Sequence, residues 1–255
     1  MSDTVQNQRV SDEPYTGQSY RKDAAQREPA KDSVVRDVLI LVLITLVAGL
    51  LLGAAYTVTS EPIARAHAKA REQAQRTVMQ AARSFETMTP EEGDSQEAEE
   101  ARPEDGSLLQ TVNAALADMG ITSTAVTQID LAKDAAGAEI GYVVTCTNAE
   151  GYGGDVELMC GVAPAEDGAL RIEGISFLEL TETAGMGMRA KEESFLEQFS
   201  GKMIGSGQML GYTKSGAPAD NEIDAISGCT ITTSAVTKDV NAALTAVRTV
   251  LEQEE

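Results

Sequence analysis

The sequence predicts an α+β domain carried behind one N-terminal membrane-spanning helix, and three observations predict it. Residues 38–60 carry no charge and lie between Asp37 and Glu61. Four β-rich runs follow later in the chain, closely spaced, with turn signals but no helical pattern between them. Near the C-terminus, Val236, Val240, Leu244, Val247 and Leu251 recur at helical spacing, so one face of a helix has a sheet to pack on.

Residues 1–37 are polar, contain Pro14 and Pro29 and show no apolar period, which predicts a disordered tail. The next segment, 38–60, has the core VLILVLITLVAGLLLGAAYTV, about the 20 residues needed to cross a bilayer. A cleaved signal peptide fits less well, because a long polar stretch precedes the run and the run is too long. Gly49 and Gly53 form a small-xxx-small pair suited to helix packing. Arg21, Lys22, Arg27, Lys31 and Arg36 precede the span; Arg65, Lys69, Arg71 and Arg76 follow it. That bias favours a cytoplasmic N-terminus by a slight margin.

Beyond the span, 61–86 reads as a membrane-proximal helix, Ala-, Arg- and Gln-rich from Ile63 to about Phe85. Residues 87–107 are acidic with two prolines and little to bury, a linker or surface insertion. The globular part is 108–255. It opens with helical spacing over 108–119, stopped by Gly120, and continues with β-rich runs at 125–131, 139–147, 156–162 and 170–180. Turn segments such as AKDAAGA and APAEDGA separate the runs, and such short connections predict antiparallel pairing. A helix over 188–199 and the amphipathic helix over 232–252 complete the domain. No internal repeat is evident.

The net charge of −20 falls almost entirely on the domain. Up to Asp37 there are six basic and seven acidic residues, so −19 lies beyond it. Such a surface repels nucleic acid and anionic headgroups, which excludes a nucleic-acid role. Cys146, Cys160 and Cys229 show no CxxC or metal-ligand spacing, and His67 is the single histidine, so no Cys/His metal centre is expected. Cys146 and Cys160 fall on adjacent predicted strands and read as buried thiols, with a disulfide open to them if the domain lies outside the cell.

Three loops could carry chemistry. Gly151-Tyr152-Gly153-Gly154-Asp155 is a glycine-dense turn between strands, where bare backbone can approach a ligand closely or simply form a tight turn. Glu182-Thr183-Ala184-Gly185-Met186-Gly187 joins a strand to a helix. Its continuation Gly185-Met186-Gly187-Met188-Arg189-Ala190 formally satisfies G-x-G-x-x-A, but no βαβ unit surrounds it and no acid follows at the ribose-binding position, so a dinucleotide site is rejected. A loop lying against a flavin or phosphate remains, beside a plain connector. The third loop is Asp224-Ala225-Ile226-Ser227-Gly228-Cys229-Thr230, at the start of the C-terminal helix. One reading is a hydroxyl-rich helix cap. The other is a phosphate site, since a helix N-terminus offers free N–H groups and a positive dipole end.

That third run resembles the sequence on which a dedicated transferase esterifies FMN to a threonine, the last Thr carrying the flavin. The succession GYVV, GYGGDVELMCGV, ISFLELTETAGMGMRAKEESFLEQFSGK and DAISGCTITTSAVTKDVNAAL resembles the G subunit of Rnf complexes, membrane ferredoxin:NAD oxidoreductases that pump sodium ions or protons. The likeness runs from about Ala125 to the C-terminus and includes the single span. It implies an extracytoplasmic FMN-binding domain with an antiparallel sheet and packed helices, acting as an electron carrier with no substrate pocket of its own. It implies covalent FMN on Thr230, with Asp224, Ser227 and Gly228 forming the acceptor loop and Thr183, Gly185, Gly187, Tyr152 and Gly153 near the flavin. The implied partners are membrane-embedded flavin and ion-channel subunits, iron–sulfur subunits and the flavin transferase.

Two positions depart from the family pattern. Residue 229 is Cys where Ala is usual, and residue 184 is Ala where Pro is usual, which should loosen the second loop. Two other readings stay open: the equivalent covalent-FMN protein of a sodium-pumping NADH:quinone reductase, its C subunit, and a membrane-tethered adaptor in which the motif only caps a helix.

Overall fold

A computed structural model of the chain describes residues 31–89 and 105–254. Of the tail expected over 1–37, residues 1–30 lie outside the described residues, as does the part of the acidic linker at 90–104, while 31–37 are helical, continuous with the apolar segment that follows. The chain divides into two compact units, one ending at Pro62 and one beginning at Ile63.

The first unit is the start of helix α1 (Lys31–Val78), which is long and apolar enough to cross a membrane, with a mean hydropathy of 2.9 over its most apolar 18 residues. Leu39, Leu43, Leu50, Leu51 and Leu52 are all exposed. A hydrocarbon environment would remove that surface from water. Two hydroxyls within the span are satisfied locally, as lipid favours. Thr45 Oγ1 donates to Leu41 O at 3.1 Å and to Val42 O at 2.9 Å, and Thr57 Oγ1 donates to Ala54 O at 3.0 Å.

The second unit is built on a six-stranded sheet whose spatial order follows the chain: β1 (Ser84–Thr87), β2 (Thr124–Lys133), β3 (Glu139–Asn148), β4 (Val156–Pro164), β5 (Leu170–Leu180) and β6 (Lys202–Ile204). Every pair in it is antiparallel. Helices α2 (Asp105–Asp118) and α4 (Thr230–Glu254) cover one face. Val236, Val240, Leu244 and Val247 are fully buried there, as their spacing predicts, while Leu251 is half-buried. On the other face, Ala74, Val78, Met79 and Ala82 pack against Ala132, Val143 and Met159. Burial from both sides makes Tyr142–Cys146 of β3 a continuous apolar and hydroxyl run, with no polar-out alternation.

The central strands match expectation to within one or two residues, but two helices do not. The membrane-proximal helix ends at Val78, not near Phe85. A Cβ on Gly161 would lie 2.3 Å from Val78 O, so the bare β4 backbone admits the end of α1 directly. The chain then turns, Arg83 N donates to Lys133 O at 2.8 Å, and 84–87 pair with β2 as an edge strand. The helix expected over 188–199 is broken into a 3₁₀ turn at 187–191 and the short α3 (Glu193–Leu196). Glu192 between them is extended, with ψ 141°. Phe195 and Phe199 still reach the core, edge to face at 5.3 Å. A parallel pair of three-residue strands, β7 (Gly211–Thr213) and β8 (Glu222–Asp224), leads into α4.

Candidate functional site

Strand β8 delivers the chain into 225–229, and Gly228, at φ +79°, makes the left-handed turn that starts α4. The turn before the helix is held by Thr233. Its Oγ1 accepts from Ile226 N at 3.2 Å and donates to Cys229 O at 3.0 Å, while Cys229 N donates to Ile226 O at 2.9 Å. Thr230, the first residue of α4, is half-buried, and among the described residues its hydroxyl has no hydrogen-bond partner. The amides of Thr230, Ile231 and Thr232 likewise have none among the described residues. These are the orphan donors of a helix N-terminus, and Thr230 Oγ1 stands beside them.

A cavity of about 410 Å³ opens at this helix end and joins the three loops singled out in the sequence. Tyr152 comes from the first, Glu182, Thr183, Met186 and Gly187 from the second, and Gly228 to Thr232 from the third. Tyr152, Met186 and Ile231 offer exposed apolar surface, at 71%, 50% and 52% exposure. The second loop folds on Thr183, whose carbonyl accepts from Met186 N at 3.1 Å and Met188 N at 3.3 Å.

Glu182, assigned no role from sequence, ties the walls together. Its Oε1 accepts from Tyr152 N and from Thr232 Oγ1, both at 2.9 Å. Two of the expected site glycines serve this arrangement. A Cβ on Gly187 would lie 2.6 Å from Glu182 Oε2, and one on Gly153 would lie 2.0 Å from Thr181 O.

Of the expected site residues, then, Thr230, Gly228, Thr183, Gly187 and Tyr152 line the cavity. Gly153 supports its wall from behind, and Gly185 turns the second loop at φ +73°. Asp224 and Ser227 line a separate recess of about 230 Å³, with Arg189, Phe195 and Gln198. Asp224 Oδ1 accepts from Gly216 N at 3.0 Å and its backbone N donates to Gln198 Oε1 at 2.6 Å, so this carboxylate pins the β7–β8 connection. Met186, Ile231 and Thr232 were not foreseen at the site.

The arrangement suits a flavin mononucleotide. First-turn amides can receive its phosphate, a free hydroxyl stands beside them, and the cavity presents an aromatic ring and two apolar side chains to a flat ring system. Residues 151–245 match the family described as FMN-binding domain, and this stretch contains all the cavity-lining residues. The G subunit of the Na⁺-translocating ferredoxin:NAD⁺ oxidoreductase complex of Acetobacterium woodii is 38% identical over 107 residues, 41% of this chain and 48% of that protein. The chain resembles the G subunits of Rnf complexes. The G subunit of the proton-translocating ferredoxin:NAD⁺ oxidoreductase complex of Clostridium ljungdahlii is also 38% identical, over 110 residues, 43% of this chain and 55% of that one. This Rnf-G-like chain thus spans about half the length of the curated relatives it matches. NqrC of Shewanella oneidensis aligns over 73% of the chain and 98% of its own, with 18% identity and a TM-score of 0.47.

Proposed function

We propose that the chain is the electron-carrier subunit of a membrane-bound, ion-translocating ferredoxin:NAD oxidoreductase of the Rnf type, with FMN held on Thr230 through a phosphoester. One observation carries this reading. A single cavity gathers Tyr152, Thr183, Gly187 and Thr230 from three loops, at a helix start where the Thr230 hydroxyl and three amides are unengaged among the described residues. A cap-only adaptor would use a motif hydroxyl on the first-turn amides, whereas here the Thr230 hydroxyl and those amides have no partner among the described residues.

The FMN supplies one- and two-electron chemistry, and the protein supplies its position and electrostatics. The amides of Thr230–Thr232 hold the phosphodiester charge, and Tyr152, Met186 and Ile231 shield the ring from water. The apolar span of α1 anchors the domain beside the integral subunits, with the N-terminus cytoplasmic and the domain outside. Other Rnf subunits are its redox partners, and a flavin transferase loads it. To test this, native protein from its own membranes is denatured on a gel, scored for flavin fluorescence and mapped by peptide mass. FMN on the Thr230 peptide is the expected result. Unmodified protein from a cell that contains the transferase would sink the proposal.

A further inference from the structure

We infer that Glu182 is the positioning residue of this cavity and that its charge holds down the reduction potential of the flavin seated there; the inference rests on the FMN reading above. Among the ten lining residues Glu182 is the only carboxylate, and no Lys, Arg or His is present to offset it. Its Oε1 bridges Tyr152 N on the first loop and Thr232 Oγ1 in the first turn of α4, both at 2.9 Å. One side chain therefore fixes the distance between the Tyr152 loop and the helix end that carries Thr230.

The surrounding backbone is shaped to admit this side chain. A Cβ on Gly187 would meet Glu182 Oε2 at 2.6 Å and Glu182 Cβ and Cδ at 2.8 Å. The bare Gly153 lets the first loop close on Thr181 and on Glu182 Cα. Gly187 is thus explained by the Glu182 side chain and Gly153 by the Thr181 carbonyl beside it.

Charge gives the second half of the inference. Adding electrons to the flavin adds negative charge in the cavity, and a carboxylate on the cavity wall raises the energy of that state. The chain has a net charge of −20, but its other acidic residues among those described are mostly exposed, and exposed charges are screened beyond about 8 Å in physiological salt. Glu182 acts from inside that distance.

Glu182→Gln separates the two roles, because the amide oxygen still accepts both hydrogen bonds while the charge is gone. The full chain and its Glu182→Gln and Glu182→Ala variants are produced in a host with the transferase. Covalent flavin is scored by mass on denatured protein, and the midpoint potential by spectroscopic redox titration at one pH. Glu182→Gln should carry as much flavin as wild type, with its reduction equilibrium shifted about tenfold toward the reduced form. Glu182→Ala should show the same direction of shift and a lower thermal midpoint. A Glu182→Gln potential equal to wild type, at equal flavin content, overturns the charge role. Loss of attachment in a folded Glu182→Gln overturns the positioning role, since its hydrogen bonds are kept. Wild-type protein without flavin would instead overturn the FMN reading, and this inference with it.

Discussion

The side-chain amide of Asn241 closes a two-bond pair with the backbone of Leu210: Oδ1 accepts from Leu210 N at 2.8 Å and Nδ2 donates to Leu210 O at 2.9 Å. Both residues are buried, so α4 substitutes for a missing strand neighbour at that point. Asn113 does the same for Val126, at 2.9 and 3.1 Å, where β2 slips register against β3. Asn241→Ala leaves a buried N–H and C=O unpaired and should cost about 2–4 kcal/mol, measured by urea unfolding. A loss under about 0.5 kcal/mol would show that water replaces the amide.

Thr230→Val should abolish covalent flavin and leave the fold unchanged. The hydroxyl removed has no partner among the described residues, and the 226–229 turn is held by Thr233. Stability should stay within about 0.5 kcal/mol of wild type. Thr233→Val, which leaves the buried Ile226 N–H without its acceptor, should cost about 1–3 kcal/mol. Thermal melts and peptide mass spectra of the two variants check the contrast; flavin retained on Thr230→Val would place the attachment elsewhere.

The glycines of the first two cavity loops should not respond alike. At Gly153 an added Cβ meets backbone, Thr181 O at 2.0 Å, so Gly153→Ala must shift the loop and should cost about 2 kcal/mol or more. At Gly185 nothing lies within 4 Å, and only the φ of +73° is strained. Gly185→Ala should cost about 1 kcal/mol. Equal losses by thermal unfolding would contradict the crowding at Gly153.

The elements most legible in the sequence were those with a long repeated pattern. Strands β2 to β5 and helix α4 run for nine to twenty-five residues each, long enough for composition, period and turn signals to locate them. Strands β6, β7 and β8 are three residues long and leave no periodic trace. Strand β1 was hidden for another reason: its composition continues that of α1, and pairing with β2 across more than 40 residues decides its conformation. At the site, Thr230 was legible because the motif is contiguous. Glu182 was not, because its partners Tyr152 and Thr232 lie 30 and 50 residues away, and one acid in a glycine loop carries no local signal.

Cys146 and Cys160 should stay reduced and unreactive in the folded domain. Cys146 stands opposite Leu158 and Cys160 opposite Val144, a diagonal placement of about 7–8 Å, beyond ordinary disulfide reach. Both thiols are free and fully buried. Burial raises each thiol's pKa, and the neighbouring Asp239 adds to the shift. A thiol reagent should therefore modify these two only on unfolding. Rapid labelling of either in native protein would mean the sheet opens locally at β3–β4.

Asp239 gives the domain a pH dependence of unusual sign for a carboxylate. It is fully buried on α4, with Oδ1 accepting from Thr124 Oγ1 at 3.1 Å and Oδ2 unpartnered among the described residues. Burial pushes its carboxyl well above the usual range, against the smaller opposing pull of Thr124, Asn148 and Lys238. Because the folded state holds this proton more tightly than the unfolded chain, the group's contribution to stability is full below the unfolded value of about 4. That contribution is lost as pH rises from there toward the raised folded value. Asp239→Asn removes the proton linkage, so the stability difference, variant minus wild type, should grow with pH above about 4 and then level off. Unfolding free energies of both proteins between about pH 4 and 8 measure it. A difference independent of pH across that range would mean that Asp239 is ionised when folded, with a cation or water at Oδ2 to hold it.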